Sequence, residues 1–139
     1  MRDRTPVQSI ASVVGALFLL IGVLGFIPGI TTHYGDLSFA GHHSGAKLLG
    51  LFQISILHNL VHVLFGIVGI ALANTVDGAR SFLVGGGVVY LSLWLLGVIG
   101  AGSWIPVSTA DNWLHLVFGL GMIALGVVTT RGTARTATA

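Results

Sequence analysis

The residues most able to do chemistry in this sequence lie in two related apolar stretches. Leu57-His58-Asn59-Leu60-Val61-His62-Val63-Leu64-Phe65-Gly66 sets two imidazoles and an amide into a run that otherwise reads as helix core. Its pattern Asn59-x-x-His62-x-x-Phe65-Gly66 returns 53 residues later as Asn112-x-x-His115-x-x-Phe118-Gly119. Neutral imidazole is a common ligand for transition metals and haem iron. Both Asn and His can also hydrogen-bond across a contact between helices. Three chemistries therefore stay open. The expectation is an interhelical polar core of Asn59, His62, Asn112 and His115, with Asn59 pairing with His115 and Asn112 with His62. The alternative is a cofactor: a haem between His62 and His115, or a transition metal on His58, His62 and His115. His58 and His62 share one helix face, and Asp111 is the nearest carboxylate that could complete such a set.

A second polar cluster, His33, Asp36, His42 and His43, falls between apolar segments. It offers ligands for copper or zinc, or a group sensitive to external pH. The reading favoured here is a solvated, flexible loop.

The elements that must position these residues follow from composition. The chain has 139 residues, 54% of them hydrophobic and 7% charged, with mean hydropathy +0.96. Soluble domains carry about 25% charged residues, so the bilayer is the solvent that suits this chain. Cysteine is absent, which excludes disulfides and thiolate chemistry. Six Lys and Arg against four acidic residues give a basic balance too sparse for a nucleic-acid surface.

Uncharged runs predict four membrane spans at about 7–30, 53–74, 82–102 and 112–130, with an outer loop at 31–52. The second helix begins somewhere between Ala46 and Ile54. The first run is longer than a signal-peptide core and ends at Gly25-Phe26-Ile27-Pro28-Gly29 without a small-x-small site, so it reads as a retained helix. With both termini in the cytoplasm, Arg2, Arg4, Arg80, Arg131 and Arg135 lie inside and only Lys47 outside, as the positive-inside bias predicts. All six histidines then belong to the extracytoplasmic side, and Trp104 and Trp113 to its interface. The predicted fold is all-α: an integral membrane four-helix bundle of two pseudo-repeated helix pairs.

Helices 1 and 3 echo each other more faintly, Leu20–Gly25 against Leu95–Gly100, at an offset of 75. Gly66 and Gly69 share the stripe of Asn59 and His62, and Gly119 and Gly126 that of Asn112 and His115, so these glycines are expected at helix contacts. Gly85-Gly86-Gly87 reads as a local backbone adjustment in helix 3.

Ala46-Lys47-Leu48-Leu49-Gly50-Leu51-Phe52, with Leu57-His58-Asn59-Leu60-Val61-His62 and Gly66, resembles the signature of a family of small four-helix bacterial membrane proteins, frequent in actinobacteria and known only as a domain of unknown function. The resemblance covers nearly the whole chain and implies a bacterial plasma membrane; it brings no activity with it. No Asp, Glu, Lys or Arg lies inside a span, unlike the usual ion-coupled carrier. No Ser or Thr is set beside a base and an orienting acid, and no phosphate-binding loop is found. The functional expectation is a non-catalytic multi-pass protein, a structural or accessory subunit of a homo-oligomer or of a larger membrane complex.

Overall fold

The computed structural model describes residues 4–41, 43–100 and 108–136, with only the helical backbone for 130–136. Four α-helices dominate: α1 (Pro6–Leu24), α2 (Ile56–Leu72), α3 (Val76–Val98) and α4 (Thr109–Thr136). Between α1 and α2 lie three two-residue strands, β1 (Thr31–Thr32), β2 (Lys47–Leu48) and β3 (Phe52–Gln53), and a 3-10 turn at Tyr34–Asp36. Helices α1 and α3, and α4 over Thr109–Thr129, are long and apolar enough to cross a membrane; α2 is apolar but has only 17 residues.

Capping side chains explain where the helices start. Thr5 and Gln8 form a capping box ahead of α1, with Pro6 at its first position. Ser55 accepts the His58 amide at the start of α2, and Thr75 accepts that of Gly78 at the start of α3. Asp77 then sits in the first turn of α3, where the helix dipole favours a carboxylate. Residues 76–80, which precede the expected span at 82–102, are therefore helical. At the other end of the chain, α4 continues through Arg131 and Arg135, beyond the expected span end at 130.

The segment expected as a flexible loop is an ordered cap. Its strands form one antiparallel sheet in the order β1-β2-β3, with Thr31 opposite Leu48 and Leu48 opposite Phe52. Ala46, Leu48 and Ile54 are buried and pack with Ile21 and Leu24 at the end of α1. Thr31 Oγ1 donates to the carbonyl of Gly25 (3.1 Å). The carbonyls of Ser38 and Phe39 receive the amides of Ile56 and Leu57, at 3.0 and 2.9 Å. The cap thus satisfies donors that the first turn of α2 cannot satisfy itself, which places the helix start at Ile56, beyond the expected window.

Two helix pairs make the tightest contacts, α1 with α2 and α3 with α4; α1 also touches α3, while α2 and α4 stand on the long diagonal. Glycines set both close approaches. A Cβ on Gly15 would lie 2.9 Å from the Ile70 amide nitrogen and 3.0 Å from the Gly66 carbonyl. A Cβ on Gly87 would lie 2.7 Å from the Gly119 carbonyl and 3.1 Å from the Ile123 amide nitrogen. Gly87 follows Gly15 by 72 residues, as Gly119 follows Gly66 by 53. The Gly85-Gly86-Gly87 run is not a backbone adjustment, since α3 runs through it unbroken. Gly86 and Gly87 instead admit Phe65, Met122 and Ile123, while Gly85 faces open space.

At the far end from the cap, Gln8 Nε2 donates to the carbonyls of Ala73 (3.2 Å) and Asn74 (2.9 Å), tying the start of α1 to the end of α2.

The glycine contacts separate two kinds of substitution. Gly87→Ala drives a methyl into the α4 backbone and should lower the thermal unfolding midpoint, overpacking costing about 1–3 kcal/mol. Gly85→Ala meets nothing and should leave the midpoint unchanged or raise it, since Ala exceeds Gly in helix propensity by up to about 1 kcal/mol. Thermal melts of the two variants in detergent check the pair, and equal destabilisation would contradict the assignment.

Candidate functional site

The predicted polar residues converge near the capped end of the bundle. Asn59 and His62 on α2, and Asp111 and His115 on α4, are all buried. Between the two histidines stands Tyr90 of α3. Its hydroxyl oxygen lies 3.3 Å from His62 Nε2, a hydrogen bond in which the phenol donates when the imidazole carries its proton on Nδ1. Its ring meets His115 edge-on at a centroid distance of 5.2 Å. Phe18 of α1 stands in the same relation to His62, edge-on at 5.5 Å. Phe18 and Tyr90 touch at 5.2 Å, and both pack against Phe65 and Phe118. The centre of the bundle is thus a cluster of four aromatic rings flanked by two imidazoles, in the offset and edge-on geometries such rings prefer.

The expected pairs of Asn59 with His115 and Asn112 with His62 do not form. His62 bonds Tyr90 instead, and the Asn59 side chain packs onto Gly25, the residue capping α1. Among the described residues, four buried side-chain atoms have no hydrogen-bond partner within the chain: Asn59 Nδ2, His62 Nδ1, Asn112 Oδ1 and His115 Nδ1. They fall at two pairs of positions related by the 53-residue spacing. Native structures leave few such groups without a protein or water partner.

A haem between His62 and His115 does not fit this arrangement, because Tyr90 fills the space that the porphyrin would need and holds the Nε2 of His62. Among the described residues, no three of His, Asp or Glu are grouped to hold a metal ion. His58 stacks face to face on His62 at 4.3 Å and 28°, which keeps their nitrogens from converging on one ion. His33, Asp36 and His43 belong to the cap and join no such group; His42 and Trp104 lie outside the described residues. Trp113 is exposed on α4.

The predicted packing glycines sit at helix contacts. Gly66 lies against Leu19 and Gly15, Gly69 against the Phe82 ring, Gly119 against Leu91 and Gly126 against Val84.

Beside the imidazoles is a cavity of about 260 Å³ between α2 and α3. His58, His62, Tyr90 and His115 line its floor, with Val61 and Val89 among its apolar walls. Val61 and Val89 are half exposed, so the cavity opens sideways between the two helices.

Tyr90 was missed from sequence, although the signal exists. At a spacing of 72 residues it aligns with Phe18, as Leu91 does with Leu19 and Gly87 with Gly15. The offset of 75 drawn from Leu20–Gly25 hides that match. The repeated motif also extends one turn upstream, because Ser55 and Ser108 both precede their helices. Ser108 pairs with Asp111 in reciprocal bonds of 2.7–3.2 Å. At the corresponding place in α2, His58 makes no such bond through its ring and lines the cavity.

Fold and site together define a small helical bundle with membrane-spanning potential and an aromatic–imidazole centre. More particularly, the chain belongs to the family described as a domain of unknown function, DUF4383, whose match covers residues 8–128. No curated protein and no solved structure is significantly similar to it.

The Tyr90–His62 bond can be weighed by a double-mutant cycle. Tyr90→Phe leaves a buried imidazole nitrogen unpaired and should cost about 1–3 kcal/mol of stability. Combining it with His62→Leu should cost less than the two single changes added together. Strict additivity in denaturation experiments would show that the two side chains do not interact.

Proposed function

We propose that this is a four-span protein of the bacterial plasma membrane, non-catalytic, acting as an accessory subunit of a homo-oligomer or larger membrane complex. One observation carries the reading: the outer face of the bundle is aliphatic, while the polar side chains Asn59, His62, Asp111 and His115 are turned into its apolar and aromatic core. Val13, Leu17, Leu20, Leu64, Ile67, Val88, Val117 and Val128 are turned outward. Water would favour the reverse arrangement; hydrocarbon favours this one. Helix α2 is short for a span at about 1.5 Å per residue, and the exposed Phe39, Leu49 and Leu51 of the cap add apolar surface at that end of the bundle.

Matching contacts at spacings of 72 and 53 residues support two copies of one helix pair, related by an axis along the membrane normal. The arginines at the end opposite the cap support cytoplasmic termini, which puts the cap and the imidazoles on the extracytoplasmic side. Outward-facing Gly85 and Gly121, with nothing within 4 Å of a Cβ position, leave room for helices of another subunit to approach closely. A haem on His62 and His115, the other reading of the motif, has no such support because Tyr90 lies between them.

The natural absence of cysteine makes topology directly measurable. Phe39→Cys in the cap should react with a membrane-impermeant maleimide in intact cells. Asp77→Cys, exposed at the start of α3, should react only after permeabilisation. The opposite pattern would invert the orientation, and recovery of the chain in a carbonate-washed soluble fraction would remove the membrane assignment altogether.

A further inference from the structure

The repeated motif accounts for the pairing of the helices but leaves the cavity between α2 and α3 without a role. We infer that this cavity is a binding site for a bilayer-soluble molecule with a carbonyl-bearing ring as its head, the chemistry of an isoprenoid quinone. The inference rests on the bilayer placement proposed above.

Three features select that ligand. The first is access. The cavity opens sideways past Val61 and Val89, on a surface that meets hydrocarbon in the proposed topology, so its occupant arrives from the membrane. The second is size. Pockets for drug-sized ligands span about 300–1,000 Å³; about 260 Å³ holds a ring-sized head and leaves an apolar tail outside, between α2 and α3. The third is chemistry. The walls supply aromatic faces, while the floor supplies imidazoles with no hydrogen-bond partner. His115 is buried, makes no side-chain hydrogen bond among the described residues and has its Nδ1 fully enclosed, so Nε2 is the nitrogen left to meet an occupant. His58 is likewise unpaired through its ring. Each can present an N–H, and the acceptors nearby are engaged elsewhere: Tyr90 with His62, Ser55 with the His58 amide, and Asp111, which acts electrostatically on both imidazoles, with Ser108. A carbonyl oxygen can accept it. A plain hydrocarbon would leave these donors unsatisfied, and a phosphate headgroup would bring charge into a chamber walled mainly by apolar side chains.

The departures from the internal repeat point to the same place. Position 58 is the counterpart of position 111, where Asp111 is held in a helix cap by Ser108, and Tyr90 is the counterpart of Phe18. Both departures put a hydrogen-bonding side chain into the cavity lining.

The test uses the full chain in lipid nanodiscs, titrated calorimetrically with ubiquinone-1, a benzoquinone bearing one isoprenyl unit. Saturable binding at one site per chain is expected. Val89→Trp, which narrows the entrance, should abolish it. His58→Phe and His115→Phe should each weaken it about tenfold, the loss of one buried hydrogen bond. Thermal melts identify any variant that fails to fold, and the conclusion is then drawn from those that remain. No saturable binding by the native chain, or binding unaffected by all three changes, would overturn the inference. So would displacement of the quinone by n-dodecane with no dependence on His58 or His115, since the cavity would then be a hydrocarbon groove. These outcomes are independent of the maleimide topology, so failure here leaves the orientation standing.

Discussion

Contact between helix backbones at glycine is the constraint from which the rest of this structure follows. At Gly15 against Gly66, and at Gly87 against Gly119, any side chain would collide with a carbonyl or amide of the neighbouring helix. In the proposed bilayer placement, with apolar surface on both sides of the choice, association would depend on such close packing more than on hydrophobic expulsion. Once the two pairs are set, the larger residues one turn away must meet at the middle. Phe18 and Tyr90 touch there, Phe65 and Phe118 close around them, and the imidazoles of His62 and His115 lie edge-on to the rings. The polar site is a product of helix spacing before it is a product of polar chemistry.

Symmetry of contact makes its breakage informative. The two helix pairs bury equivalent glycines, equivalent aromatic positions and equivalent histidines. Three positions depart from that equivalence near the capped end. Trp94 stands where the pattern of Gly22 would place a glycine, Tyr90 where it would place Phe18, and His58 opposite Asp111. Gly22 brings α1 within van der Waals limits of Asn59 and Val63, an approach that an indole at the matching place on α3 cannot make. The other two substitutions exchange groups that pack or cap for groups that can hydrogen-bond inside the cavity. Of the three, Tyr90 and His58 line the cavity between α2 and α3.

How much of this was legible in the chain differs by element. The four helices followed from long uncharged runs bounded by polar segments. The contact glycines were legible in part: Gly66 and Gly119 recur in a motif whose Asn and His are costly to bury, whereas Gly87 read as part of a backbone adjustment. Helix ends were less so. The uncharged-run rule treated Asp77 and Arg80 as outside α3, whereas the Thr75 cap and the dipole decide the boundary. The cap was the largest omission: strands of two residues carry no alternation to read, and their stability comes from packing Leu48 and Ile54 on the end of α1. Tyr90 escaped because its partner is non-local. A lone tyrosine in an apolar helix has no sequence neighbour that announces a bond to His62, 28 residues away.

The same non-locality decides between the roles open to the histidines. Spacing within one helix makes His58 and His62 look like a chelating pair, and the repeat makes His62 and His115 look like axial ligands. Neither pattern accounts for a third helix. By placing Tyr90 between the two repeated histidines, α3 removes the gap a porphyrin would enter. It leaves an open chamber only on its α2 side, where His58 replaces a capping carboxylate. An imidazole that stacks on another and bonds to nothing is poorly explained by stability, because burial of an unpaired polar group is a cost. An acceptor arriving from outside the chain would offset that cost, and the cavity between α2 and α3 offers it a path.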